Sequence, residues 1–234
     1  MAISPGGASS YAFGGVPDRV RRQQSGKAEP EAARNESRDF GTLSVKAINE
    51  GRELERFART IGPGDWAIEA TRPIGTLLGS CVSVCLWDPR AKIGGMNHFM
   101  LPSRSPGRAT TDFDVLLCGD FAMEALMNAM LARGARRERL QAKAFGGGAV
   151  VAALTETGIG ARNVEFAREW LAREGIPLLG TDFLGPWSRK IVLNPVTGDA
   201  FCRRNQAVPA QLVQAEERYG QTLALPRQTA VELF

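Results

Sequence analysis

The chain has four cysteines and a single histidine, His98, so any reaction that needs an imidazole must use that one ring. A thiol beside an imidazole gives up its proton to the ring, and the resulting thiolate attacks acyl carbons. The spacing offers such a pair. Residues 82–87, Val-Ser-Val-Cys-Leu-Trp, alternate with a period of two, which puts Val82, Val84 and Leu86 on one face of a strand and Cys81, Ser83, Cys85 and Trp87 on the other. Asp88-Pro89-Arg90 is a turn signal, and residues 92–101 read as the returning strand. With Pro89 and Arg90 at the centre of a two-residue turn, Cys81 faces His98 and Ser83 faces Met96, and directly opposite Cβ atoms lie about 4.5–5.5 Å apart. The register depends on the turn. Asp-Pro-Arg-Ala suits a type I turn, whereas tight hairpins favour the primed types, so a bulge would shift the pairing.

An acyl reaction also needs donors for the oxyanion, and the turn Gly79-Ser80-Cys81 offers backbone N–H groups. A peptidase, an amidase and a deamidase would all use this constellation, and spacing does not choose among them. Cys85, Cys118 and Cys202 read as small buried hydrophobes. A metal site is not expected: Cys81 and Cys85 form one C-x3-C pair, and one histidine is too few to complete a zinc shell.

The elements that must hold this pair lie in the middle of a chain of 234 residues. Residues 1–61 read as a flexible extension of Gly, Ser, Arg, Glu and Ala, with a short helical stretch between Ser44 and Arg59. Gly62-Pro63-Gly64 marks the expected boundary of a domain over 62–206, followed by a polar tail over 207–234 with at most one short helix. Strands are predicted at 66–70, 74–78, 140–145, 176–182, 190–194 and 199–203, and helices at 112–133 and 161–174. Strands interleaved with two main helices predict an α/β layered sandwich of mixed β-sheets. A formal charge of +4 is too small and scattered for a nucleic-acid partner, and Arg133, Arg136, Arg137 and Arg139 read as a solvated helix end. No run approaches the roughly 20 apolar residues of a bilayer span, and no signal sequence is visible, so a cytoplasmic protein without membrane insertion is expected.

The segments Leu78-Gly79-Ser80-Cys81-Val82 through Cys85-Leu86, Ile93-Gly94-Gly95-Met96-Asn97-His98 with Leu101-Pro102, the glycine-rich Ala144 to Gly148, and Ile159-Gly160-Ala161-Arg162-Asn163-Val164 stand out together. In combination they resemble the CheD family of chemoreceptor glutamine deamidases. The resemblance spans about 66–204. It implies a CheD-like fold and a cofactor-free cysteine hydrolase that converts glutamine side chains to glutamate in the cytoplasmic helices of methyl-accepting chemotaxis receptors, with release of ammonia. Cys81 would be the nucleophile and His98 the general base and acid. Ser80, Asn97 and Arg162 are candidates for contacts to substrate or oxyanion, although residues such as the last two are more often structural hydrogen-bond makers. A CheC-type phosphatase is a partner the resemblance permits.

The chain departs from the family at one point. The family's catalytic threonine, six positions before the cysteine, falls on Gly75, and Thr76 stands beside it. One residue of displacement in a strand turns a side chain to the other face, so Thr76 is expected to serve only where a bulge or shift re-aims it. That departure keeps a second reading in play, a non-catalytic module that docks on a receptor or a CheC-type phosphatase. A third reading, peptidase or transglutaminase-like acyl transfer, shares Cys81 and His98.

Overall fold

A computed structural model describes residues 45–100, 117–150, 155, 158–206, 210, 213, 214, 216 and 217. In chain order the elements are α1 (Val45–Phe57), β1 (Arg59–Thr60), β2 (Trp66–Glu69), β3 (Ile74–Leu78), β4 (Val82–Asp88), β5 (Ile93–Asn97), α2 (Gly119–Ala132), a 3-10 turn (Arg137–Arg139), β6 (Gln141–Gly146), α3 (Ile159–Arg173), β7 (Leu178–Phe183), β8 (Ser188–Leu193) and β9 (Ala200–Asn205). They form two mixed sheets. One has the order β1-β3-β8-β9, with β1 parallel to β3 and the other pairs antiparallel. The second has the order β2-β5-β4-β6-β7, with only β6 and β7 parallel. The expected α/β sandwich of mixed sheets is thus the fold.

The two faces of β4 feed two different cores. Val82, Val84 and Leu86 pack with Met123, Leu126 and Met130 of α2 and with Val164, Trp170 and Leu171 of α3. Cys81 and Cys85 point the other way, into an inter-sheet layer with Ile74, Leu78, Met96, Phe145, Ile191 and Leu193. Strand alternation therefore places the cysteine face between the sheets and the valine face under the helices. On the far side of the four-stranded sheet, α1 approaches so closely that a Cβ on Gly51 would lie 3.2 Å from the Phe201 side chain.

The hairpin register differs from the expected one. Cys85 pairs with Met96 and Val82 with Phe99, so every residue of β4 meets a partner two positions further along than a two-residue turn would give. The cause is a longer loop: Lys92 N–H donates to Asp88 O at 2.9 Å, and Lys92 takes φ +50° to close it. A slip of two preserves the face of every side chain, whereas a slip of one reverses it.

Three boundaries also move. The helix expected from Asp112 begins at Gly119, since Leu117 O is taken by Met100 N–H and Cys118 is the cap; residues 112–116 lie outside the described residues. The helix expected from Ala161 begins at Ile159. The short helical stretch expected between Ser44 and Arg59 is α1, whereas residues 59–60, read as part of a flexible extension, supply the edge strand β1. Residues 1–44, which hold the rest of that extension, lie outside the described residues.

Asp88, at the outer end of β4, fastens the hairpin. Its buried carboxylate accepts from the N–H groups of Arg90, Ala91 and Arg136 and receives Arg139 through two nitrogens, the shortest contact 2.7 Å. Burial alone would raise its pKa, but Arg139 and the three amides outweigh burial and hold it well below the usual carboxylate range. Arg133, Arg136 and Arg137 are exposed, as expected of a solvated cluster, and three of the four arginine side chains also make contacts. Arg139 takes Asp88, Arg137 pairs with Glu174, and Arg133 donates to Ile68 O at 2.7 Å.

Candidate active site

Cys81 sits where the chain turns from β3 in one sheet to β4 in the other, and three other segments hold that turn. Gly147 N–H donates to Cys81 O at 2.8 Å, and Gly148 N–H donates to Gly79 O at 2.7 Å. This approach requires glycine, because a Cβ on Gly146 (φ +120°) would overlap Cys81 O. Asn163, on the first turn of α3, donates through Nδ2 to Ser80 O at 3.1 Å and to Met100 O at 3.0 Å. The glycine run at the end of β6 thus cradles the carbonyls of the Gly79–Cys81 turn. Sequence reasoning gave Asn163 no role of its own, although the segment 159–164 that contains it is one of those that carry the family resemblance.

His98 is held on its backbone by the Gly62–Asp65 turn: its N–H donates to Asp65 O at 3.0 Å, and its O accepts from Gly64 N–H at 2.8 Å. The Gly-Pro-Gly segment read as a domain boundary is therefore a support of the site. On the ring side, Thr76 Oγ1 lies 2.8 Å from Nδ1 and donates to Ile61 O at 2.9 Å. A hydroxyl has one proton, and with that proton on Ile61 O the oxygen accepts from Nδ1–H. The proton on Nδ1 leaves Nε2 as the bare, basic nitrogen. Nε2 is buried and has no hydrogen-bond partner.

No bulge is needed to bring Thr76 there. Ile74, Thr76 and Leu78 share the inward face of β3, in regular register with β8, while a Cβ on Gly75 would point outward toward Ala58 and Val192. The expected obstacle came from comparing positions along one strand. His98 lies in the opposite sheet, and the facing direction between the sheets decides which β3 residue reaches it.

The register puts Ser83 opposite His98 and Cys81 one pair further along the same face, as a diagonal neighbour. Ser83 Oγ is also buried and unpartnered. Cys81 is 0% exposed and His98 1%. Burial, and then the nearby Glu216 charge, push the Cys81 thiol well up, and burial lowers His98 to about 3. At neutral pH the closed site therefore holds a thiol and a neutral imidazole.

The other sequence candidates separate. Ser80 is at the site: its N–H donates to Glu216 Oε1 at 2.6 Å and its hydroxyl to the same oxygen at 3.0 Å. Asn97 is turned away. Its Oδ1 accepts from Val84 N–H at 2.8 Å and its Nδ2 donates to Ala122 O at 3.2 Å, so it ties α2 to the hairpin on the helix side and has nothing left for a substrate. Arg162 is exposed on α3, next to the buried Asn163. Glu216 was missed altogether, because it lies in a tail whose composition is polar and whose sequence carries no motif.

Among the described residues no group of His, Cys, Asp and Glu could hold a metal ion. A recess of about 140 Å³ lined by Cys85, Trp87, Lys143, Thr197 and Asp199 lies beside the outer part of β4 and contains neither Cys81, His98 nor Thr76. All four cysteines are free thiols. No described helix is long and apolar enough to cross a membrane.

A family described as "CheD chemotactic sensory transduction" matches residues 100–204. Among similar proteins, the "Probable chemoreceptor glutamine deamidase CheD 2" of Dechloromonas aromatica is 57% identical over 190 residues, covering 78% of this chain and 96% of the relative. A protein of the same printed name from Burkholderia thailandensis is 46% identical, again over 78% of this chain and 96% of the relative. The "Probable chemoreceptor glutamine deamidase CheD 1" of Shewanella oneidensis is 42% identical, over 80% and 95%. A span of 78% of the chain takes in Thr76, Cys81 and His98 wherever it begins. With near-complete coverage of relatives at that identity, and a cysteine and histidine on one buried face, the chain belongs to the CheD family of chemoreceptor glutamine deamidases.

Proposed function

We propose that this protein hydrolyses glutamine side chains of methyl-accepting chemotaxis receptors to glutamate, with Cys81 as nucleophile, His98 as base and then acid, and Thr76 as the residue that sets the ring. The observation that carries the reading is the hydrogen-bond chain Ile61 O, Thr76 Oγ1, His98 Nδ1, which leaves Nε2 unspent and basic on the face it shares with Cys81.

The step balances simply. Nε2 takes the Cys81 proton, Sγ attacks the side-chain amide carbon, and the imidazolium returns that proton to the leaving nitrogen as ammonia departs. Water, deprotonated by the same Nε2, then opens the thioester, giving the carboxylic acid and the free thiol. Ser80 N–H and Oγ are the donors suited to the amide oxygen. No cofactor has a part. Free thiols are consistent with a cytoplasmic location. The docking-module alternative drew its strength from Gly75, and the Thr76–His98 bond removes that support. Binding to a CheC-type phosphatase is compatible with an active enzyme.

The test is ammonia release from a receptor cytoplasmic fragment together with its intact mass. A gain of about 1 Da per converted glutamine, with the rate reduced roughly 10⁴-fold or more in Cys81→Ala and also lost in His98→Ala, is the expected result. Binding without mass change or ammonia release would return the protein to the docking-module reading, and incorporation of an added amine would indicate acyl transfer.

A further inference from the structure

Glu216 is the most unusual charged residue in the molecule. It comes from a polar segment outside the sheets, with helical backbone at 216–217, yet its side chain is completely buried against the nucleophile turn. Oε1 takes both donors of Ser80, the N–H at 2.6 Å and the hydroxyl at 3.0 Å. Oε2 is buried and has no partner. The carboxylate enters only because residue 79 is glycine: a Cβ there would overlap Oε1 and lie 2.8 Å from Cδ. Burying a carboxylate with half its hydrogen-bonding capacity unmet is costly, and burial raises its pKa despite the Ser80 bonds.

The chemistry of this occupant matches the proposed reaction. A glutamate side chain with one oxygen on two donors, next to a cysteine, has the length and atoms of the product of glutamine hydrolysis. Replacing Oε2 by NH2 would give the substrate, with its leaving nitrogen where the carboxylate now has no partner. The burial of Cys81 fits the same picture, because no side chain of another protein can reach a thiol that is 0% exposed until something moves.

Building on the deamidase reading above, we infer that the Ser80 donor pair is the subsite for the side-chain carbonyl of the target glutamine, and that Glu216 fills it in cis as a product mimic which the receptor segment must displace. The Glu216 side chain is then a competitive plug. Its departure frees Ser80 N–H and Oγ and opens the approach to Cys81 along the Gly79 side.

Two variants of the full-length chain test this against the same receptor fragment. In Glu216→Gln, the amide at position 216 is placed on Ser80 beside Cys81. It should hydrolyse in cis, by thiolate attack, ammonia loss and thioester hydrolysis, with a gain of about 1 Da at a rate independent of protein concentration. The conversion should be absent in the Glu216→Gln, Cys81→Ala double variant. In Glu216→Ala, removal of the competitor should lower the KM for the receptor fragment about 3- to 10-fold with kcat retained. A merely structural carboxylate predicts the opposite, a fall in kcat without a lower KM. Persistence of the amide at 216, in a sample that converts receptor glutamines, overturns the proposal, as does an unchanged or raised KM in Glu216→Ala. Failure of both the cis and the receptor reactions would instead overturn the deamidase reading, and this inference with it.

Discussion

The two ends of β4 solve the problem of a buried polar group in opposite ways. At the outer end, the Asp88 carboxylate has three backbone N–H groups and a two-pronged arginine, and neither of its oxygens lacks a donor. At the inner end, His98 Nε2, Ser83 Oγ, Asn163 Oδ1 and Glu216 Oε2 are all buried without partners. Buried polar groups are ordinarily satisfied, so four unmet atoms around one turn mark a place where stability has been withheld. The satisfied carboxylate keeps the hairpin shut, although Trp87 Nε1 beside it is itself buried without a partner. At the inner end His98 is divided: one ring nitrogen is bound to Thr76 and the other is left bare.

The comparison breaks if the outer end proves dispensable or the inner end proves to be a fastening. The largest effect is expected from Asp88→Ala, which leaves three backbone amides without their acceptor and should clearly lower the midpoint of a denaturant titration. The kcat of the protein that remains folded should be retained, so a large loss of kcat under folding conditions would show that the two ends are not separable.

An acid titration sharpens the contrast, because the ends fail in different windows. His98 is lowered to about 3 in the folded chain, so the unfolded chain binds its proton first as pH falls below about 6.5. Its contribution is complete above pH 6.5 and drains away toward pH 3, on the order of a few kcal/mol. Asp88, held below the usual carboxylate range, contributes fully above about pH 4 and is lost only beneath that. A denaturation midpoint that is flat from pH 6.5 to 4.5 would contradict the burial of a neutral imidazole. In Asp88→Ala the upper window should persist and the lower one should shrink.

The smallest of the three concerns Thr76→Val, which removes the hydroxyl while keeping the shape. Loss of the ring's orienting partner should lower kcat roughly 10- to 100-fold with little change in KM and a displaced pH profile, and Thr76→Ser should recover most of the rate. Equal losses in the valine and serine variants would make Thr76 a packing residue and remove it from the mechanism.

Much of this was legible along the chain. The alternation over residues 82–87 and the returning strand read over 92–101 assigned Cys81 and His98 to one face, and that assignment survived a wrong register because the error was an even number of residues. The strand at Ile74–Leu78 and the two helices followed from periodicity and from stops at Gly134 and Gly175. Asn97 shows where such reading runs short. It is adjacent to His98 in sequence, yet a strand sends neighbours to opposite faces, and the side chain serves α2 instead of the site.

What the sequence by itself determined is therefore local: a single imidazole, a thiol on its face, a glycine turn, and the two periodicities from which an α/β sandwich follows. The tertiary structure decided everything that depends on contacts between distant segments. It brought Thr76 to the ring from the other sheet, laid Gly146, Gly147 and Gly148 under the nucleophile turn, anchored that turn with Asn163, and set Glu216 on Ser80 from 136 residues away. The reason is physical. Periodicity reports which way a side chain faces within its own element, whereas the partner it meets is set by how sheets stack and loops return, and no local pattern along the chain encodes that distance.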